Sequence, residues 1–225
     1  NLNINLASFK IIKDSFNLWP SADKFKDIED VVSAHRWIWV YQLLDEKKIS
    51  LRQKKIFINE SINNWFYLYG TKKLSKFDPI FEPYTISERL VVYVFLVKMG
   101  FVKKNIIHLN LLKKQFIFLK ENIEFFYKKD SNHVLNNLRS ILIFAKFIDS
   151  RVHLNFFSEI FKDICNKYLD NFGFFIFGSS HYQFIFSRWI IDIFINNIET
   201  KFLSTKVLNI LSACKFFENE FNKKT

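Results

Sequence analysis

Residues 27–48 read DIEDVVSAHRWIWVYQLLDEKK. Val31, Val32, His35, Trp39 and Leu43 recur at three- and four-residue steps, which puts them on one stripe of an α-helix. Asp23 is a candidate cap for its start, and the charged run Asp45–Lys48 ends it. The same period predicts a second helix over Leu51–Tyr69, closed by Gly70. Pro79 and Pro83 then make residues 71–84 a loop, because proline removes a donor and disfavours helix in the residue before it. Beyond that loop, helices are expected from Thr85 or Ser87 to Met99 with Gly100 as the stop, over Lys104–Lys128, Asn132–Ile148 and His153–Leu169. Gly173 and Gly178 mark a second loop over residues 171–179, and helices over Ser180–Ile198 and Ser204–Phe221 complete the chain. No strand alternation is read anywhere. The expected class is all-α, with eight helices joined by short links as antiparallel helical hairpins.

Composition agrees with a packed helical domain. Almost half of the 225 residues are apolar and 29 are Phe, which excludes disorder and allows one domain over residues 1–225 with a sizeable core. Four Gly and three Pro leave few tight turns, a balance that favours helices over a many-stranded sheet. The Phe, Ile, Asn and Lys bias is that of an AT-rich genome. Cys165 and Cys214 lie far apart without CxxC spacing and read as small apolar residues, not as a redox or zinc pair. His35, His108 and His153 have no partners at metal-ligand spacing, so no metal and no cofactor is expected. Apolar stretches such as Ile141–Ala145 are too short to span a bilayer, and no signal peptide is visible.

The formal charge is +11, from 33 Lys and Arg against 22 Asp and Glu. Such a field attracts polyanions: nucleic acid, anionic lipid or acidic polysaccharide. Nucleic acid ranks last among these, since no helix-turn-helix, RNA-recognition or zinc signature is present.

Three ordered segments discriminate further. They are FEPYTISERLVVYVF at Phe81–Phe95, SNHVLNNLRSILIFAKFI at Ser131–Ile148 and FGSSHYQFIFSRWIIDI at Phe177–Ile193, with DIEDVVSAHRWIWV at Asp27–Val40 before them. Together they resemble the N-terminal domain of heparinase II/III-type polysaccharide lyases of bacteria. The resemblance implies an incomplete (α/α) toroid whose cleft binds a uronate-containing polysaccharide, in a periplasmic or cytoplasmic protein. It also implies a C-terminal β-sandwich domain, which this chain does not contain and which supplies part of the catalytic set. Phe177 stands where many relatives place an acidic residue, and Gln183 where several have His.

The implied chemistry is β-elimination, in which the C5 proton of a uronate leaves and the C4 oxygen is expelled. The carboxylate beside C5 must first be neutralised by donors, and an acid and a base must follow. Asn132 and His133 fit the first task, because a helix N-terminus already favours an anion there. Tyr182 fits the acid, or a combined acid and base. A phenol ordinarily titrates near about 10, so positive charge is wanted beside it, with His181, Arg188 and Arg89 as candidates. Tyr84, Arg89 and Trp189 are expected to line the cleft by stacking on sugar faces or pairing with acidic groups. Read without the resemblance, Asn132 is a helix cap, His133 a partly buried histidine, Tyr182 a core residue and Arg188 a solvated charge. A non-catalytic acidic-glycan-binding or surface-polysaccharide assembly module with the same fold is the alternative to the lyase.

Overall fold

The computed structural model describes residues 3–6, 9–12, 27–125 and 133–222. They form two compact units, residues 1–123 and 124–225. Helices make up nearly all of both, so the fold is all-α apart from one short hairpin.

That hairpin opens the first unit. Strand β1 (Asn3–Leu6) pairs antiparallel with β2 (Phe9–Ile12), Asn3 facing Ile12 and Leu6 facing Phe9. It corrects the reading that no strand is present. The sequence NINL does alternate polar and apolar residues, but four residues are few against a helical background.

Two helices, not one, follow. α1 (Ile28–His35) and α2 (Trp39–Asp45) are separated at Trp37, whose φ of 62° lies in the left-handed region. The Trp37 indole is fully buried and packs edge-on against Trp65 and Phe66, at ring centroid distances of 5.2 and 5.9 Å. Tertiary packing thus holds a conformation that a bulky L-residue rarely adopts. Asp27 caps α1 by accepting from the Glu29 amide, while Asp23, the expected cap, lies outside the described residues.

α3 (Leu51–Tyr69) has the expected limits. A reciprocal Ser50–Gln53 capping box starts it and Gly70 stands at its end. α4 (Pro83–Lys98) begins two residues before the earliest expected start, because Pro83 occupies the first helical position where its missing N–H costs nothing. α5 (Ile106–Glu121) is shorter than the expected 104–128 and is capped by the Asn105 side chain. Within this unit α1 packs on α4, α2 on α3 and α4 on α5.

The second unit holds α6 (His133–Phe147), α7 (Arg151–Tyr168), α8 (Ser180–Ile195) and α9 (Thr200–Asn222). α6 packs on α7 and α8, and α8 packs on α9. Every residue from Val134 to Ala145 is buried, which makes α6 the helix around which the unit is built. Lys146 near the end of α6 donates to the Asn197 carbonyl just past the end of α8, at 2.7 Å. Arg139 in mid-α6 pairs with Asp192 in α8 at 2.8 Å. The two contacts advance together along both helices, so α6 and α8 run in the same direction.

Helix ends recur in one form. The Gly100, Asp149 and Asn197 backbones all have left-handed φ, and the next amide reaches back five residues to Leu96, Ala145 and Ile193 respectively. This is the Schellman arrangement. Gly100 advertises it in the sequence, whereas Asp149 and Asn197 adopt it with side chains.

Candidate functional site

Two of the expected site residues belong to the first unit. Tyr84, in the first turn of α4, is half-buried under the Arg36 guanidinium, 4.6 Å from ring centroid to Cζ. Arg36 in turn pairs with Glu82 at 2.9 Å and reaches Glu29 at 3.4 Å, and Thr85 donates to the same Glu82 oxygen at 2.7 Å. This cluster ties the end of α1 to the start of α4.

Arg89 is not on a surface. It is fully enclosed, its guanidinium 4.3 Å from the Trp65 ring centroid and flanked by Trp37 and Phe81. Nη1 donates to the His35 carbonyl (2.8 Å), Nη2 to the Ile80 carbonyl (3.0 Å) and Nε to Gln115 Oε1 (3.0 Å). Burial pushes its pKa down to about 9, with Asp78 pulling the other way, so it remains cationic at pH 7. The expectation that Arg89 meets substrate is therefore corrected. Its donors are committed to the protein, and no sugar can reach it.

His35 is held in the same core. Its Nδ1 accepts the Trp65 indole proton at 2.9 Å, which fixes a neutral ring. Burial, then the charges of Arg89 and Lys72, push its pKa down to about 3. In the unfolded chain the ring binds a proton below about 6.5. A lowered folded value means the unfolded state takes up more protons between these limits, so stability falls as pH drops from about 6.5 towards 3. The loss at the acid end is on the order of 4 kcal/mol. His35→Asn keeps an acceptor for Trp65 without the titration. Denaturant midpoints between pH 7 and 4 are expected to be flatter for this variant than for the wild type. Equal slopes would remove His35 as the source.

The remaining expected residues belong to the second unit, except that Asn132 lies outside the described residues. His133 is the first residue of α6, with its side chain partly exposed and Nδ1 2.9 Å from Glu124 Oε1. The Asn137 side chain accepts from the Glu124 amide at 3.1 Å and so steadies the acidic partner. A carboxylate against Nδ1 orients the ring, as it does in histidines that exchange protons. Glu124 was not read from the sequence. It sits nine residues upstream, beyond any helical spacing, and only the fold brings it to His133.

Tyr182 lies in the first turn of α8. Because α6 and α8 are parallel, Tyr182 and His133 occupy the same end of the unit. The Tyr182 ring stacks on Phe186, with centroids 5.6 Å apart and planes at 25°, and Phe177 lies 6.1 Å away. His181 is exposed beside it, at 5.7 Å between ring centroids. Tyr182, Phe186 and Trp189 follow one stripe of α8, and Trp189 is buried under Phe186 at 5.1 Å. Trp189 is a core residue and does not present a face to sugar, contrary to expectation. Arg188 is exposed, six residues from Tyr182 and hence roughly 120° round the helix from it.

Gln183 has a different task. Its side chain accepts from the Phe175 amide (3.0 Å) and donates to the Gly173 carbonyl (2.8 Å), clamping the 169–178 loop onto α8. At Gly173, with φ of 90°, an added Cβ would run into the Asn209 backbone of α9, so only glycine fits.

Among the described residues no helix is long and apolar enough to cross a membrane. Comparison with protein-family models, curated proteins and solved structures finds no match for this chain.

Proposed function

We propose that this chain is the helical part of a polysaccharide lyase that cleaves a uronate-containing polymer by β-elimination. The observation that carries the reading is the His133–Glu124 pair, at 2.9 Å, set at the end of the second unit that also holds Tyr182. In this scheme His133, oriented by Glu124, takes the C5 proton. Tyr182 gives a proton to the departing C4 oxygen, and Asn132 donates to the uronate carboxylate as charge builds on it. His133 thereby moves from neutralising the carboxylate to acting as the base. The proposal includes the finer architecture, in which the helices form antiparallel hairpins closing into an incomplete (α/α) toroid, and a C-terminal β-sandwich domain in the complete protein. The charge of +11 favours an acidic polymer.

A specific observation favours the non-catalytic glycan-binding alternative. Tyr182 is packed against Phe186 and Phe177, and Arg188 leaves the helix on another face. One assay separates the two readings. The full-length protein is incubated with alginate, hyaluronan and heparan fragments, and absorbance of new unsaturated uronate ends is followed. Product from any of them supports the lyase, while binding without product assigns the chain to the non-catalytic class.

A further inference from the structure

α9 packs on α8 and buries Leu203, Val207, Ile210 and Ala213. A second stripe of the same helix is left over. Ser204, Leu208, Leu211, Lys215, Glu218 and Asn222 recur at alternating steps of four and three residues, and all six are exposed. That spacing is the heptad repeat of a helix with another helix laid against it. Leu208 is 66% exposed and Leu211 49%. Beside them a groove of about 580 Å³ opens between α8 and α9, with Phe184, Leu211, Cys214 and Phe221 as its apolar lining and Lys215 and Glu218 as its charges. Phe184 and Phe221 are themselves 42% and 53% exposed. Single exposed apolar residues are ordinary, but a continuous set along one groove marks an interaction face.

The charges decide what covers this face. Lys215 and Glu218 have no ion-pair partner among the described residues. Their order makes the stripe complementary to itself when reversed. With two α9 helices antiparallel and the two-fold axis between Phe216 and Phe217, Lys215 of each copy falls opposite Glu218 of the other. The same register sets Leu211 opposite Asn222, so stripe meets stripe along its length. It also brings Phe221 of the second copy level with Ser212, next to Leu211, Cys214 and the groove. A parallel pairing in register sets Lys215 against Lys215 and Glu218 against Glu218, which like-charge repulsion disfavours.

We infer that this face is an interface between two copies of the chain. The pairing is antiparallel, with Phe221 of each copy seated in the other's groove and two Lys215–Glu218 pairs setting the register. Exposed ion pairs add little affinity. The charges therefore select orientation, while Phe184, Leu211 and Phe221 supply the buried apolar surface. A two-fold contact of this kind closes on itself and yields a dimer. The inference rests on the α8–α9 face alone and holds whether or not the chain is a lyase.

Sedimentation velocity of the full-length protein over a concentration series tests it. Lys215→Glu and Glu218→Lys are each expected to raise the dissociation constant about tenfold or more, because symmetry turns two attractions into two like-charge contacts. The double variant Lys215→Glu/Glu218→Lys exchanges the charges and is expected to return to near the wild-type value. An equimolar mixture of the two single variants is expected to form a mixed dimer. Phe221→Ser should weaken association about tenfold by removing the apolar contact. Circular dichroism verifies folding, and Lys201→Met, at an exposed lysine off the stripe, is expected to change little. A wild type that stays monomeric throughout the series overturns the interface and leaves the face to a different occupant. Single reversals that associate like the wild type, or a double variant as weak as the singles, overturn the antiparallel pairing.

Discussion

On the lyase reading proposed above, a His133→Gln protein is expected to produce unsaturated uronate ends about a hundred- to ten-thousand-fold more slowly than the wild type, the usual loss when a general base is removed. Glutamine keeps an amide that can still bond Glu124, at 2.9 Å in the wild type, but it cannot take a proton. The loss should therefore fall on kcat, with KM and the melting temperature little changed. Tyr182→Phe should act to a similar extent, because the ring keeps its stack on Phe186 and only the hydroxyl is lost. On the same reading Glu124 acts through His133, which it contacts at 2.9 Å, so Glu124→Gln is expected to slow turnover less than His133→Gln while substrate affinity holds. Kinetics on a defined uronate oligosaccharide check all three. Wild-type turnover by either His133→Gln or Tyr182→Phe would remove that residue from the mechanism.

The largest expected effect on stability is at Arg89. Arg89→Ala leaves the His35 and Ile80 carbonyls and the Gln115 side chain without their donor, and opens a void among Trp37, Trp65 and Phe81. Each buried acceptor left without a donor costs about 1–3 kcal/mol and the void adds to that, so a loss of about 3–5 kcal/mol is expected. Whole domains are stable by only about 5–15 kcal/mol, so the variant should populate unfolded forms in mild urea. Arg89→Met fills most of the void and still orphans the acceptors, so it should fall between the two. Urea midpoints followed by tryptophan fluorescence report this directly, since Trp37 and Trp65 flank the site. A loss below about 1 kcal/mol for Arg89→Ala would show that the acceptors find other donors. Residual glycan affinity of the folded fraction should be unchanged, which distinguishes a core residue from a substrate ligand.

Local signals made the helices legible. α3 closes at Gly70 and α4 is stopped by Gly100, whose left-handed φ acts close in sequence. The break at Trp37 was not legible, since the left-handed φ is imposed by Trp65 and Phe66, which lie on α3. Asp149 and Asn197 turn the chain as glycine does, so a search for glycine passes over them. At the site, Tyr182 and His133 were legible as residues, but not the environments that decide what they can do. Arg89 reads as a surface charge in any hydropathy pattern and proves to be a core residue.

From Val134 to Ala145 α6 has no outward side, and this bears on how the chain is made as well as on what it becomes. Fluctuations that fray α7 or α9 leave the α6 amides sheltered, so these should be the last in their unit to exchange hydrogen for deuterium. On the ribosome the shelter is missing. ILIFA, Ile141–Ala145, then emerges as a bare, uncharged, strand-favouring run of the kind that seeds aggregation. Arg139 and Lys146 bracket it as gatekeepers, and their partners Asp192 and Asn197 follow roughly fifty residues later. Until those partners arrive, the two charges stay hydrated and guard the segment. Once α8 docks, the same two side chains bind it in place.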